Sequence, residues 1–454
     1  MDRARANVVV VGAGLTGLAV AWRLSRRGFR VVVLERARVP GGRVAAQSWD
    51  GFRLEAIPPV HSAGDRQLLS FIDEVGLRDD ALPLRPLVRC LPHAGGLREV
   101  ELRSAGDVRR VPGVRWRESL RLVRLPRLLA RYGDRLDPTQ PAAAADLDDR
   151  SLADFCELYF GSSVLDRWMA PIVTSASLGD PREMSRVQLL LELRRTRGAR
   201  PGVPRASLSE LAERAAGQLP VQLACGVDSV EPPRDGRPRL RLDDGRGITA
   251  DAVVLAVPAP QALALADPLL TPADRDGLAA VRYEPVLTVA APLCRPLSAR
   301  PQQILVPRSQ HSPIESATIE PGLPSTRIPE GRGLALIRAR GDFAAASADA
   351  PDEAVAKELL GALELLRPGI ERVVDFTRVL RIPLGVPRFD VGRYREIARF
   401  DRVQRDRRAA GRRLYFAGDY RVHPTVEGAL MSAAEVAGAV ERDLARGCAT
   451  RSQP

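Results

Sequence analysis

Apolar residues at the beginning of the chain follow the pattern of a strand, a helix and a second strand. Val8 to Val11 is a short β-branched run typical of a buried parallel strand, and Leu18 to Arg27 continues with helical periodicity. Val31 to Leu34 predicts the second strand. This order predicts the first unit of a parallel α/β sheet.

The turn between the first strand and the helix carries three glycines at GxGxxG spacing: Gly12, Gly14 and Gly17. In this motif the first glycine permits a tight turn, the second lets backbone N–H groups approach a pyrophosphate, and the third lets the helix pack on the strand. Glu35 ends the second strand, close to the spacing at which an acid binds the ribose hydroxyls, and it disfavours a 2′-phosphate. The motif therefore predicts a site for an adenine dinucleotide.

Weaker patterns predict the elements that follow. Val44 to Glu55 is typical of a hairpin that turns at Asp50-Gly51, and Gln67 to Val75 of a helix that Gly76 ends. Residues 137–150, with two prolines and an alanine run, are expected to form a linker. Further helices are predicted over 208–218 and 352–366, and strands over 221–231, 286–291, 333–339 and 373–380. Residues 238–257 predict a hairpin that turns at Asp244-Gly245, followed by a buried strand over 252–257.

A strongly basic segment lies between residues 107 and 131, with eight arginines, two acids and a net charge of +6. If 117–131 is one helix, its arginines fall on one arc, Leu128 falls among them, and Pro126 kinks the helix. The opposite arc then holds most of Leu122, Val123, Leu125 and Leu129. Such a helix can lie on an anionic bilayer or line the mouth of a site for an acidic lipophile. The alternative is an ordinary solvated helix face.

Composition narrows the choice of partner and compartment. The net charge of +12 suggests an anionic partner, but Lys357 is the only lysine among 68 basic residues, which indicates a coding bias towards arginine. Aromatic residues are 4% and do not interleave with a basic stripe, so nucleic acid binding is not expected. No apolar stretch is long enough to span a bilayer, so any membrane contact is expected to be peripheral, on the inner face.

The five cysteines also bear on the compartment, since they are odd in number and widely spaced, without a CxxC pair. We expect reduced thiols in a cytoplasmic protein and no metal site. The cysteines are Cys90, Cys156, Cys225, Cys294 and Cys448.

Beyond Glu35 the sequence reads Pro40-Gly41-Gly42-Arg43. This GGR segment resembles the signature of flavoproteins of the amine oxidase, protoporphyrinogen oxidase and carotenoid desaturase clan. The resemblance implies FAD, with Gly42 and Arg43 against its pyrophosphate and ribityl chain. In this clan the segment commonly ends in an acid, and a glycine two residues later lies beside the flavin ring. Here the acid is Glu55, but the position of the glycine is occupied by Ile57, so the sequence departs from the clan's pattern beside the ring.

A second segment near the other end of the chain resembles the clan's second FAD signature. Leu414 to Asp419 predicts a strand that ends at Gly418-Asp419, and Pro424 to Ala429 opens a helix. Asp419 can accept hydrogen bonds from ribityl hydroxyls, and unpaired N–H groups of Val426 to Gly428 can face the flavin N1/O2 edge, where negative charge develops on reduction. No cysteine or histidine matches a covalent linkage, so we expect non-covalent FAD. The candidate cofactor-binding residues are Gly12, Gly14, Leu15, Thr16, Gly17, Glu35, Arg36, Gly41, Gly42, Arg43, Val227, Gly418, Asp419, Val426, Glu427 and Gly428.

Two internal segments, 151–185 and 382–394, resemble the protoporphyrinogen oxidase branch in particular. The first contains a helix ending in Phe160-Gly161 and the turn Gly179-Asp180-Pro181. The resemblance implies a Rossmann-like α/β FAD-binding domain of the GR2 type, with a discontinuous α+β substrate domain. The expected FAD-binding parts are 1–76, 201–275 and 385–454, with a helical, membrane-facing substrate part over 77–200 and a substrate-domain sheet over 276–384.

The expected function is removal of hydride from a lipophilic, cyclic and acidic small molecule, as in protoporphyrinogen or coproporphyrinogen oxidation, with arginines pairing with substrate carboxylates. No catalytic residue can be nominated. A carotenoid-type desaturase shares both FAD signatures. The resemblance implies that an amine oxidase of the clan would place a lysine near the flavin, but Lys357, the only lysine, lies in a predicted outer helix, so a standard amine oxidase is disfavoured. An amine oxidase-like enzyme of secondary metabolism, with a changed substrate, is an alternative. A flavin-free prenyl-binding escort protein shares the fold, but Gly418-Asp419 argues against it.

Overall fold

A computed structural model describes residues 6–101, 105–232, 237–322 and 325–451. Its described residues are organised by two large sheets. One is a five-stranded parallel sheet, and the other is a seven-stranded mixed sheet. A layer of helices covers one end of the mixed sheet.

The parallel sheet is assembled from four distant parts of the chain. The predicted strand Asn7–Val11 lies in its centre, with Val9 opposite Val32 on one side and Val253 on the other. All neighbouring strands are parallel, in the order Val221–Gln222, Arg30–Leu34, Asn7–Val11, Ala252–Leu255 and Leu414–Phe416. The chain therefore leaves this sheet and returns to it more than once.

Both faces of the parallel sheet are covered. Val8 and Val10 belong to the core on one face, and Val9 and Val11 to the core on the other, because successive strand residues alternate in direction. The first face packs on helices Leu15–Arg26, Arg66–Glu74, Leu208–Ala216 and Val426–Arg451. The second packs on strands Val227–Glu231, Arg239–Leu242 and Gly247–Thr249, and on helices Ala259–Ala266, Pro272–Ala279 and Arg393–Ala409.

The seven-stranded sheet has an apolar outer face and an inner face that carries both apolar and polar residues. Leu359 and Leu363 of helix Asp352–Leu366 pack against Val289 and Ile337 on the outer face. The inner face, on the other side, carries buried polar residues such as Thr288 and Thr318. The strand order is Arg378–Pro387, Tyr283–Leu293, Gly333–Ala339, Ile314–Pro321, Gln302–Leu305, Val88–His93 and Gly96–Val100.

The inner face is covered partly by the helical layer, whose core contains Phe155, Val187 and Leu190. Arg338 on the inner face donates to the carbonyl of Ser175 over 2.8 Å, which joins the two layers. The helices of the layer are Trp116–Leu120, Leu125–Arg131, Leu152–Tyr159, Ser162–Val164, Ala170–Ser177 and Arg186–Arg195.

The fold also contains two smaller sheets and two short helices. A two-stranded hairpin, Gln47–Trp49 with Phe52–Leu54, confirms the predicted turn at Asp50-Gly51. A three-stranded sheet contains His61–Ser62, Pro201–Val203 and Arg85–Pro86. Short helices occur at Arg78–Ala81 and Gly341–Ala346.

Two sequence expectations about the course of the chain are wrong. Residues 137–150 are not a linker, since Pro141–Leu147 forms a 3₁₀ helix whose Ala144 is fully buried. Asp148 accepts the N–H of Tyr394 over 2.7 Å and so caps helix Arg393–Ala409. The strand predicted at 373–380 begins at Arg378, and strands Gln302–Leu305 and Ile314–Pro321 were not predicted.

The segment 117–131, considered above as one helix kinked at Pro126, is helical but is not a single α-helix. A 3₁₀ turn at Arg121–Arg124 separates helix Trp116–Leu120 from helix Leu125–Arg131, and Pro126 lies in the first turn of the second helix. The tighter 3₁₀ turn changes the phase between the two helices. Leu128 is consequently buried, whereas Val123 is 68% exposed. Within the described ranges, every helix is too short or too polar to cross a bilayer.

Candidate functional site

The three glycines of the first turn have different surroundings. A Cβ at Gly17 would lie 1.9 Å from the Gly12 carbonyl oxygen, so glycine is required there for the helix to pack on the turn. Gly12 has a φ of +102°, and a Cβ there would lie 2.8 Å from the Ala256 carbonyl oxygen. Gly14 is different, because the nearest atom to its Cβ would be 3.9 Å away. Gly14 therefore leaves open space at the beginning of helix Leu15–Arg26.

The Gly41-Gly42 pair lies directly against this turn. The Gly41 N–H donates to the carbonyl of Ala13 over 2.9 Å, and Gly41 and Gly14 form an isolated parallel bridge. Both Gly41 and Gly42 have positive φ, so the chain turns sharply there. The two glycine segments predicted from the sequence thus form one continuous backbone surface.

This surface includes the N-terminus of helix Leu15–Arg26, which contains Thr16 and Gly17. Its N-cap residue is Gly14, no side chain caps it, and its first turn contains no acid. The first N–H groups of a helix lack intrahelical acceptors and carry a partial positive charge. The surface therefore favours an anion such as a pyrophosphate.

Glu35 lies beside the glycine turn at the end of strand Arg30–Leu34. Its two carboxylate oxygens accept the N–H groups of Ala13 and Ala37, over 2.7 and 2.8 Å. The Cys225 N–H donates to the Glu35 carbonyl over 2.8 Å, which brings the beginning of strand Val227–Glu231 to the same place. Arg36, the next residue, is exposed. These residues surround the position that a ribose and adenine take in a dinucleotide site.

Arg43 and Asp419 join the two ends of the site. Arg43 makes two parallel bonds to the Asp419 carboxylate, over 2.7 and 2.9 Å, and a third to the Gly385 carbonyl over 2.7 Å. Gly418 precedes Asp419, and a Cβ there would lie 2.5 Å from the Tyr420 ring. The predicted residues of the first and last motifs therefore come together.

The N-terminus of helix Val426–Arg451 differs in one respect from the sequence expectation. Thr425 is its cap, and the Thr425 hydroxyl accepts the Gly428 N–H over 3.1 Å, so this N–H is not unpaired as expected. In the described part of the chain, the N–H groups of Val426 and Glu427 have no recorded backbone acceptor. At this terminus, as far as the structure describes it, these two N–H groups are the ones left for a ligand.

The Glu427 side chain has a role that the sequence did not indicate. It is 1% exposed, and its two oxygens accept the N–H groups of Gln67 and Leu68, each over 2.9 Å. Glu427 therefore caps helix Arg66–Glu74 and fixes the last helix against it. Its side chain is not aimed at a ligand.

A small cavity adjoins this helix terminus. It is lined by Leu191, Arg195, His423, Thr425 and Glu427, with three further residues: Pro138, Gly428 and Met431. Arg195 donates to Glu192 over 2.6 Å and also contacts Asp65. Burial, with the nearby Arg195 charge, lowers the pKa of His423 to about 3, so its ring is neutral at physiological pH. The cavity wall is thus compensated in charge. The lining residues could not be grouped from the sequence, because they come from three distant segments of the chain.

The segment that departs from the clan's pattern is held firmly. Glu55 accepts the Ser209 N–H over 2.8 Å, and burial raises its pKa. The Thr288 hydroxyl donates to the Ala56 carbonyl over 2.6 Å. Ile57 follows directly and is partly buried. Lys357 is exposed on helix Asp352–Leu366, on the far side of the sheet from these residues.

The glycine surface, the acid beside it and the second helix terminus fit an extended dinucleotide. The chain also matches the model of flavin-containing amine oxidoreductases over residues 15–441. The chain belongs to this family. Its cofactor is FAD, and its fold combines the Rossmann-like parallel sheet with a separate sheet-rich domain, as the sequence predicted.

Two curated relatives have different substrates. Coproporphyrinogen III oxidase of Propionibacterium freudenreichii subsp. freudenreichii is 38% identical over 111 residues, which are 24% of this chain and 19% of the relative. Phytoene dehydrogenase of Streptomyces griseus is 51% identical over 59 residues, 13% of this chain and 12% of the relative. The matched segments therefore span less than a fifth of the length of these relatives.

Solved structures agree in fold over almost the whole chain. A variant of putrescine oxidase superposes with a TM-score of 0.77 at 20% identity, covering 97% of this chain and 99% of the other. At this identity the likeness shows the shared fold alone. The chain is a flavin oxidoreductase of this family, with a substrate that must be argued from its own residues.

Proposed function

We propose that this flavoenzyme oxidises a lipophilic, cyclic substrate that carries carboxylates, of the protoporphyrinogen or coproporphyrinogen type, with oxygen or another acceptor. The proposal rests on one observation: Arg89 is half-buried on the inner face of the mixed sheet. The Glu192 carboxylate is nearby, and a guanidinium in such surroundings supports recognition of an acidic group.

The FAD half of the proposal assigns roles to the residues gathered above. Gly14, Leu15, Thr16 and Gly42 would hold the pyrophosphate through backbone N–H groups. Gly41, whose N–H donates to the Ala13 carbonyl, would keep the turn in place against the cofactor. Glu35 would bind the adenosine ribose, with Arg36 and Val227 beside the adenine, and Arg43 and Asp419 would hold the ribityl chain. The N–H groups of Val426 and Glu427 would face the flavin edge.

When bound, FAD supplies the acceptor for a hydride from a C–H bond of the substrate. The protein's contribution is to orient the substrate and exclude water. His423 supports this, because it is neutral and adds no charge to the cavity. We assign no residue as a proton donor or acceptor.

Arg89 is the best-placed arginine for a substrate carboxylate. Arg89, Gln303 and Thr318 stand side by side across three strands of the inner face. The Arg89 Nε reaches Gln303 only over a long bond of 3.4 Å. Burial lowers the pKa of Arg89, and the Glu192 carboxylate opposes that shift. A carboxylate of the substrate would supply the strong partner that this half-buried guanidinium lacks in Gln303.

A carotenoid-type desaturase is the second candidate, favoured by the similarity to phytoene dehydrogenase. Its substrate would be a hydrocarbon, for which Arg89 would be of no use. An amine oxidase that depends on a lysine beside the flavin is disfavoured, because Lys357 is exposed on the outer face.

The experiment mixes the FAD-loaded enzyme with protoporphyrinogen, and separately with coproporphyrinogen, in air and records porphyrin fluorescence above autoxidation. Arg89→Leu should raise KM at least about tenfold, the effect of losing one charge-assisted pair. Arg98→Leu is the matched control, because Arg98 is exposed on the adjoining strand opposite Leu91.

Each outcome bears on the proposal. Turnover that Arg89→Leu weakens and Arg98→Leu leaves intact would support it. No fluorescence from an enzyme that holds FAD would refute a porphyrinogen substrate, and desaturation of phytoene by the same preparation would establish the second candidate.

A further inference from the structure

A stripe of exposed apolar side chains lies on the basic segment of the helical layer. Trp116 is 65% exposed, Leu120 52% and Val123 68%. These are three of the nine exposed large hydrophobic residues in the described part of the chain. Trp116 and Leu120 are one turn apart in an α-helix, and Leu120 and Val123 one turn apart in a 3₁₀ turn. All three therefore share one outward face.

Exposed arginines flank this stripe. In the same segment they are Arg117, Arg121, Arg124, Arg127 and Arg131. Glu118, the one acid between Trp116 and Arg131, is buried and accepts the N–H and the hydroxyl of Ser163. The exposed face consequently carries positive charge without a negative charge among it.

The stripe cannot turn inward, because the opposite face of the segment is already packed. Leu122, Leu125 and Leu128 belong to the core of the helical layer. Glu118 is also joined to Arg115 over 3.0 Å. Trp116 stays outside, where the Arg117 guanidinium lies 5.3 Å from its ring centroid.

We propose that this surface, the Trp116 face (Trp116, Leu120, Val123, Arg117, Arg121 and Arg124), binds an anionic lipid bilayer. A tryptophan and two aliphatic side chains can enter the headgroup region, while the flanking arginines pair with lipid phosphates. Nucleic acid or an acidic protein would match the charge but would leave the aliphatic residues without a partner. This proposal does not depend on the substrate.

A second basic helix of the same chain serves as an internal comparison. Helix Arg393–Ala409 exposes Arg395, Arg399 and Arg402 at the same spacing. It has no exposed large hydrophobic residue among its described positions. If exposed arginines alone were sufficient, those of the second helix should also contribute to binding, reduced by its exposed acids Glu396 and Asp406, whereas the proposed mode should use only the Trp116 face.

The experiment measures co-sedimentation of the FAD-loaded enzyme with vesicles of phosphatidylglycerol and phosphatidylcholine, and with phosphatidylcholine alone. We expect binding to the anionic vesicles that weakens with salt. Trp116→Ser with Leu120→Ser, and separately Arg117→Gln with Arg121→Gln and Arg124→Gln, should each weaken binding at least about tenfold.

Matched controls remove the same groups elsewhere. Leu365→Ser removes a side chain that is 81% exposed on helix Asp352–Leu366. Arg395→Gln with Arg399→Gln and Arg402→Gln removes three charges from the second basic helix. Both controls should bind as the wild type does. FAD content and the thermal midpoint verify that every variant is folded.

A spectroscopic readout keeps the proposal testable if a multiple variant does not fold. Trp116→Phe should keep vesicle affinity but lose the blue shift of tryptophan emission on binding. The proposal is overturned if the wild type does not bind anionic vesicles, if it binds neutral ones equally, or if the controls weaken binding as much as changes in the Trp116 face. An unchanged blue shift in Trp116→Phe would overturn it as well.

Discussion

Arg43 and Asp419 are 376 residues apart in sequence and form a bidentate ion pair, with N–O distances of 2.7 and 2.9 Å. This pair joins the turn after the second strand of the parallel sheet to the loop after its last strand. Asp419 is 6% exposed, so the contact is largely shielded from water. The contact between the first and last parts of the sheet and the proposed ribityl site thus depend on the same two side chains.

Replacing Asp419 should therefore affect both stability and FAD affinity. Asp419→Ala leaves Arg43 without its carboxylate, and we expect a loss of about 2 kcal/mol in the free energy of unfolding, below the range for fully buried pairs because Arg43 is partly exposed. FAD should bind more weakly as well. Urea unfolding and titration of the apoprotein with FAD measure the two effects.

Asp443→Asn is the control for this prediction. Asp443, on helix Val426–Arg451, accepts the hydroxyl of Tyr415 from the last strand of the sheet over 3.0 Å and is paired with Arg408. None of these three residues is assigned to FAD. It should lower stability and leave the FAD dissociation constant unchanged. An Asp419 variant with unaltered FAD affinity would contradict the ribityl role.

Gly14 and Gly17 should respond differently to the same added methyl group. Gly17→Ala would place Cβ 1.9 Å from the Gly12 carbonyl oxygen, so we expect a loss of several kcal/mol or no folded protein. Gly14→Ala meets no atom nearer than 3.9 Å in the protein and should leave apoprotein stability within about 0.5 kcal/mol.

The Gly14→Ala methyl group would nevertheless occupy the space proposed for the pyrophosphate. We expect its FAD affinity to fall at least about tenfold. Thermal unfolding of the apoprotein and FAD titration separate the two effects. If Gly14→Ala binds FAD normally, the pyrophosphate does not lie against this residue.

The parts of the fold that could be predicted are those in which local pattern and motif agree. The strand Gly333–Ala339 and the helix Asp352–Leu366 have the predicted bounds, because each is bounded by clear turn or cap residues. The glycine motifs could be recognised because positive φ angles and close backbone contacts at most of these positions exclude other residue types.

Other features depend on partners that are distant in sequence. From the sequence, Asp148 looks like part of a polar linker. In the structure it accepts the N–H of Tyr394, which helix Arg393–Ala409 brings beside it. The sequence predicts that Glu427 faces a ligand. In the structure its carboxylate instead accepts the N–H groups of Gln67 and Leu68. Arg89 was one arginine among 67, and only strand register placed it beside Gln303.

Glu35 offers a test that separates the two halves of the cofactor. Its carboxylate oxygens both accept backbone N–H groups, so Glu35→Gln would point an amide donor at one of them. We expect weaker binding of FAD but an unchanged affinity for FMN, which lacks the adenosine half. Fluorescence titrations with both flavins measure this difference. Equal losses for FAD and FMN would show that the change disturbs the whole sheet edge instead of the ribose site.

His61 should make the folded protein sensitive to acid. It is 8% exposed, and burial together with the charges of Arg195 and Arg327 lowers its pKa to about 3, from 6.5 in a free side chain. Its Nε2 has no hydrogen-bond partner among the described residues. Between pH 6.5 and 3 the unfolded chain binds a proton that the folded chain does not bind.

The stability contributed by neutral His61 is thus fully present above pH 6.5 and is lost as pH falls towards 3. By pH 5 the loss amounts to about 2 kcal/mol, from 1.36 kcal/mol per pH unit over roughly 1.5 units. His61→Leu should remove this part of the pH dependence. His423, whose pKa is also lowered to about 3, should keep its own share in that variant. Urea unfolding of both proteins at pH 7, 6 and 5 gives the free energy of unfolding as a function of pH, and this dependence should be shallower for His61→Leu. Parallel dependences in the two proteins would show that His61 is protonated in the folded state.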